Sequence, residues 1–125
     1  MPPHYYTVEE ANALLTTLRP LMAEMLGARD HILAVRAEVW PVLEKAAFNG
    51  GSKQASTVLA DFEIIQRGVQ RIQALGLELK DINTGLIDFL SHRNGREVYL
   101  CWRYDEPSVA HWHDLDAGFT GRQPL

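Results

Sequence analysis

The segment His111-Trp112-His113 carries two imidazoles two residues apart. On an extended strand alternate residues face the same side, so the two rings share a face. Such a pair holds Zn, Fe or Mn when a further donor arrives from a neighbouring element. Glu97 and Cys101 offer donors from the apolar run before it, and Asp88 and His92 from the stretch before that. The candidate metal or ligand-binding residues are therefore His113, His111, Glu97, Cys101 and Asp88, with His113 and His111 as the metal pair. Cys101 is the single cysteine. It is also a candidate nucleophile with His113 as base, set against the ordinary role of a small residue packed between Leu100 and Trp102.

A second constellation combines Asp81, Asp88, Glu97, Glu106, Asp114 and Asp116 with Arg93, Arg96, Arg103 and Arg122. Arg96, Arg103 and Arg122 are the candidate anion-binding residues, since a guanidinium presents a fork that fits an anionic group. The simpler reading is a set of ion pairs around a small sheet. The sequence contains no phosphate-cradling glycine loop, nucleophile elbow or His-Glu metalloprotease helix, so no catalytic residue is assigned.

These residues need strands to position them. Leu77-Glu78-Leu79-Lys80 alternates, and Gly85-Leu86-Ile87-Asp88-Phe89 is a short apolar run. Asn94-Gly95 is the strongest short hairpin signal, and Arg96 to Tyr104 after it is the best strand of the chain. Val109 to Leu115 follows the turn at Pro107. The expectation is a three- or four-stranded antiparallel meander. A five-residue loop pairing Tyr104 with Ala110 sets Trp102 against Trp112, Cys101 against His113 and Arg103 against His111. A one-residue slip moves both histidines to the tryptophan face.

The first part of the chain reads as helix. Thr7 and Glu10 form a capping box. From Ala11 the apolar residues Leu14, Leu18, Leu21, Met25, Ala28, Ile32, Val35, Val39, Val42 and Ala46 step three and four apart, a coiled-coil-like heptad seam. Pro20 and Pro41 predict breaks, giving a short helix near 8–18, a long one near 20–46 and a stop at Asn49-Gly50-Gly51. A second helix after Ser52 repeats the rhythm through Ala55, Val58, Phe62, Ile65, Val69 and Ile72 and ends at Gly76. The fold class is α+β: a long antiparallel helical hairpin packed with a small C-terminal antiparallel β-sheet. Residues 1–125 read as a single domain, helical over about 7–75 and β-rich over about 76–125.

The chain of 125 residues is 46% apolar and 22% charged, with a net charge of -4. These values describe a globular protein and weaken any nucleic-acid or anionic-membrane role. One cysteine excludes an internal disulfide framework and fits a reducing cytoplasm. No apolar run approaches the roughly 18 residues of a membrane span.

Long motifs also carry a resemblance. Tyr6-Thr7-Val8-Glu9-Glu10-Ala11-Asn12, Leu18-Arg19-Pro20-Leu21, Lys80-Asp81, Gly85 to Phe89, Gly95 to Arg103, Glu106-Pro107, Trp112-His113 and Gly118 to Leu125 resemble the bacterial family of the domain of unknown function numbered 2203. The resemblance spans nearly the whole chain and implies a helical N-terminal part with no established activity. His111 lies outside the matching motifs. Two functional readings follow from the residues. The first is a non-enzymatic binding or assembly module, a homodimer through the heptad helices. The second is a small metal-dependent enzyme with a His/Glu/Cys site on the C-terminal sheet.

Overall fold

The computed structural model describes residues 3–46 and 53–125, with side chains over 3–35 and 58–125. Helix α1 (Val8–Ala46) is followed by helix α2 (Lys53–Ala74). Strands β1 (Glu78–Asp81), β2 (Leu86–Arg93), β3 (Arg96–Arg103), β4 (His111–Asp114) and β5 (Gln123–Pro124) complete the chain, with a short 3-10 turn over Phe119–Gly121 before β5. The five strands form one antiparallel sheet in sequential order.

The start of α1 is the capping box expected from its sequence. The Glu10 amide donates to Thr7 Oγ1 at 3.1 Å, and the Thr7 amide donates to Glu10 Oε1 at 3.0 Å. These bonds satisfy amides that the first helical turn leaves free. The expected break at Pro20 does not occur: α1 runs unbroken across Pro20 and Pro41. Proline removes a single intrahelical bond and its φ suits a helix. Leu18 and Met22, on either side of Pro20 and fully buried, hold both halves of the helix against the same core. The Asn49-Gly50-Gly51 stop lies outside the described residues.

The buried stripe of α1 is Ala11, Leu15, Leu18, Met22, Met25 and Ala28, while Leu14 and Leu21 are half-buried. The buried set keeps steps of three and four but takes Leu15 and Met22 in place of Leu14 and Leu21, and the seam beyond residue 35 lies outside the described side chains. The two helices run antiparallel: Met25 abuts Gly68, and His31 pairs with Asp61 one turn and a half further on. At the end of α2 the Leu77 amide bonds the Ile72 carbonyl at 3.2 Å, and Gly76 takes φ 77°. This is the left-handed helix exit that glycine makes cheaply.

In the sheet, Asn94 (φ 53°) and Gly95 (φ 79°) form the tight β2–β3 turn. Ile87, Phe89, Val98, Leu100, Trp102 and Trp112 point into the core shared with α1 and Ile72 of α2. One expectation on register is corrected. Leu100 pairs with Trp112, Cys101 with His111 and Tyr99 with His113, two residues away from the anticipated alignment. A two-residue displacement preserves the face of every side chain, so the histidines lie on the Cys101 side as expected. The loop is longer because its own groups are engaged. Trp102 Nε1 donates to the Glu106 carbonyl at 3.0 Å, the Tyr104 amide still bonds Gly85, and Asn12 of α1 binds the Val109 amide at 2.8 Å. The fifth strand, β5, was not anticipated: Leu125 donates to the Ala110 carbonyl at 3.0 Å.

Candidate functional site

The sheet face turned away from α1 buries three polar side chains. Asp88 of β2 and Cys101 of β3 are cross-strand partners, and His113 of β4 lies one diagonal step away. Their exposures are 2%, 0% and 2%. Burial of this kind demands partners, and His113 has two. Its Nδ1 lies 2.7 Å from the Asp114 carbonyl oxygen, and its Nε2 lies 3.1 Å from Asp88 Oδ2. A carbonyl only accepts, so Nδ1 carries the proton. Nε2 is then left facing a carboxylate oxygen, with one proton to share between them. Asp88 Oδ1 is buried and has no hydrogen-bond partner among the described residues.

Cys101 completes the group. One ligand atom from each of Asp88, Cys101 and His113 lies within 4.8 Å of the others. Burial, reinforced by the negative charge of Asp88 and opposed by Arg122, pushes the Cys101 thiol up to about 12. Both nitrogens of His113 are occupied by Asp88 and Asp114, so neither serves as a base for the sulfur. The arrangement therefore keeps a neutral thiol and does not activate a nucleophile, which needs a lowered thiol pKa or an adjacent base.

The other predicted residues fall elsewhere. His111 belongs to a neighbouring cluster in which Arg122 Nη2 lies 2.8 Å from His111 Nδ1 and 2.7 and 2.8 Å from the two Glu106 oxygens. The guanidinium is a donor only, so His111 Nδ1 accepts from it. Glu106 Oε1 also accepts the Arg103 amide at 2.7 Å. Glu97 is exposed and receives the Tyr5 hydroxyl at 2.5 Å, and Tyr5 stacks on His92 at 4.0 Å. Each candidate anion-binding arginine faces a carboxylate: Arg96 with Asp114 at 3.0 Å, Arg103 with Asp105 at 2.5 Å and Arg122 with Glu106. Arg103 and Arg122 also cover the ring of Phe119, at 5.4 and 4.8 Å. This brings the turn before β5 onto the polar face.

Three contributors escaped sequence reading. Asn12 binds both backbone groups of Val109, Arg19 lies over the Trp102 ring at 5.5 Å, and Ser91 donates to the Tyr6 carbonyl at 2.5 Å. Only Asn12, a polar residue in the first turns of an apolar helix, left a trace in the pattern.

The family model described as "Uncharacterized conserved protein (DUF2203)" matches residues 4–125. The chain belongs to this family. No curated protein and no solved structure matches it. For this DUF2203 member the site must therefore be read from its own geometry. Among the described residues, no helix is long and apolar enough to cross a membrane.

A further surface lies on the hairpin. Among the described residues, the furthest residue of α1 hydrogen-bonded to the sheet region is Arg29, whose Nη1 donates to the Asn83 carbonyl at 2.7 Å. Beyond it Leu33 on α1, with Leu59 and Phe62 on α2, are exposed by 52%, 60% and 53%.

Proposed function

We propose that this protein is a non-enzymatic binding and assembly module that pairs with a second copy of itself through the far end of its helical hairpin. The observation that carries this reading is the exposure of Leu33, Leu59 and Phe62, three large apolar side chains on two adjoining helices with no third layer over them among the described residues. Two packed helices bury one stripe each, and the remaining apolar surface favours another layer. Charge argues for a like partner. Asp30 is engaged by Arg29 and Asp61 by His31, so these two carboxylates beside the patch do little to repel a second copy. A self-complementary patch of this sort closes into a twofold dimer.

The sheet cluster supports the non-enzymatic part, because its thiol is held protonated and out of reach of solvent. The core shared by both helices and the sheet supports reading the chain as one domain. A buried, unpaired thiol suits a reducing compartment such as the cytoplasm.

Sedimentation equilibrium of the wild-type chain and of a Leu59→Glu/Phe62→Glu variant tests the association. The wild type is expected at the dimer mass and the variant at the monomer mass, with the same helical circular dichroism. A wild type that stays monomeric across the concentration series overturns the reading, as does a dimer that both glutamates leave intact.

A further inference from the structure

We propose that Asp88, Cys101 and His113 form a binding site for one zinc-class transition-metal ion. Hydrogen-bond accounting at the buried pair motivates it. His113 commits its Nδ1 proton to the Asp114 carbonyl and directs Nε2 at Asp88 Oδ2. A metal-ligating histidine is likewise held with one ring nitrogen tied to a carbonyl, and an ion would take the place of the proton that Nε2 and Asp88 Oδ2 share. The second, independent observation is Asp88 Oδ1, an acceptor on a side chain 98% buried that has no hydrogen-bond partner among the described residues. A cation beside the carboxylate gives that oxygen a partner.

The spacing suits a tetrahedral ion. Zinc bonds to nitrogen and oxygen of about 2.0–2.2 Å place two such ligands roughly 3.3 Å apart. The Nε2–Oδ2 separation is already 3.1 Å. The full set lies within 4.8 Å, so no separation has to shorten by more than about 1.3 Å to reach zinc–thiolate geometry, which is within the reach of side-chain rotation. The donor set of one nitrogen, one sulfur and one carboxylate suits zinc and disfavours manganese, magnesium and calcium, which prefer oxygen. Cys101 ligates as the thiolate, so binding of the divalent ion releases the thiol proton. His111 and Glu97 are outside the set, since the first serves Arg122 and the second Tyr5.

The test uses the full chain, stripped of metal with a chelator and then titrated with zinc and, separately, with cobalt. The expected result is one zinc per chain by native mass spectrometry and a thiolate-to-cobalt charge-transfer band in the near ultraviolet. Cys101→Ser abolishes the band, and Cys101→Ser, Asp88→Asn and His113→Gln each weaken zinc binding by more than about 100-fold, beyond the loss seen for outer-shell changes. His111→Ala leaves the stoichiometry at one. Should a ligand variant fail to fold, the stripped wild type still decides the matter by its zinc uptake and its cobalt spectrum. No uptake by the stripped wild type overturns the proposal. So does binding that survives Cys101→Ser at full strength, or binding lost with His111→Ala alone. None of these readouts depends on whether the hairpin dimerises.

Discussion

Glycine at 85 serves a different purpose from glycine at 95, and single added methyl groups separate the two. Both have φ in the left-handed region, at 68° and 79°. A Cβ on Gly85 would lie 2.7 Å from the Tyr104 Cβ, whereas one on Gly95 meets nothing within 4 Å. Gly95→Ala is expected to cost about 1 kcal/mol from backbone strain alone. Gly85→Ala adds a steric clash and is expected to cost about 2–4 kcal/mol. Urea denaturation of both variants measures the difference; equal losses would mean that Tyr104 moves aside freely. At this scale the sequence was legible in parity and illegible in pairing. Alternation put His111, His113 and Cys101 on one face, as found. It could not say that Asp88 meets His113 while His111 goes to Arg122, because those partnerships depend on a two-residue alignment set by loop contacts from Asn12 and Trp102.

Helix α1 begins on a reciprocal pair of side-chain bonds, and its pH response follows from them. The backbone and hydroxyl hydrogen bonds from Thr7 hold the Glu10 carboxyl below its ordinary value of 4.5, and nearby His4 lowers it further. A carboxyl depressed by folding adds stability above its unfolded pKa, and that stability disappears as the pH falls through the folded pKa. Thr7→Ala is expected to remove about 1 kcal/mol at neutral pH, with the gap from wild type narrowing below about pH 4.5. Thermal melts of the two proteins at neutral and acid pH give the comparison, and a gap independent of pH would assign the loss to Thr7 alone. Elements with their own chemical punctuation were legible: the Thr7–Glu10 cap, the Gly76 exit and the Asn94-Gly95 turn. Pro20 misled, because local rules count its missing bond and not the burial of Leu18 and Met22 around it. Strand β5 has two residues, one of them Pro124, and carries no periodic signal at all. The edges of the sheet are blunted accordingly, by that proline on one side and by the charged Glu78 and Lys80 of β1 on the other.

Met22 lies where the helical layer meets the sheet, its methyl 3.3 Å from the Cβ position of Gly85 and its helix packed along α2. Met22→Ala is expected to cost about 2–5 kcal/mol and lower the melting temperature by on the order of 10 °C. Leu33→Ala, on the exposed end of the hairpin, is expected to shift it far less in the Leu59→Glu/Phe62→Glu background. Calorimetry on that pair tells core from surface, and a comparable fall at Leu33 would move the boundary of the core along α1. The two-layer plan of helices over a meander was readable from the change of period near residue 76. The stripe on α1 was not, since spacing alone allows either Leu14 or Leu15 to face inward and the sheet chooses Leu15.

The sequential order β1-β2-β3-β4-β5 also has a kinetic side. Every neighbouring pair of strands is adjacent in the chain, so the sheet can zip outward from Asn94-Gly95 through short loops, the kind of step that takes microseconds. The clasp between Asn12 and Val109 is different, because 97 residues separate its ends. Its closure carries the larger entropic cost. The docking of the first turns of α1 onto the sheet is therefore expected to be the slow event in folding. Because β4 brings His113 to Asp88 within the sheet, the face that carries Asp88, Cys101 and His113 is expected to assemble without waiting for the helix.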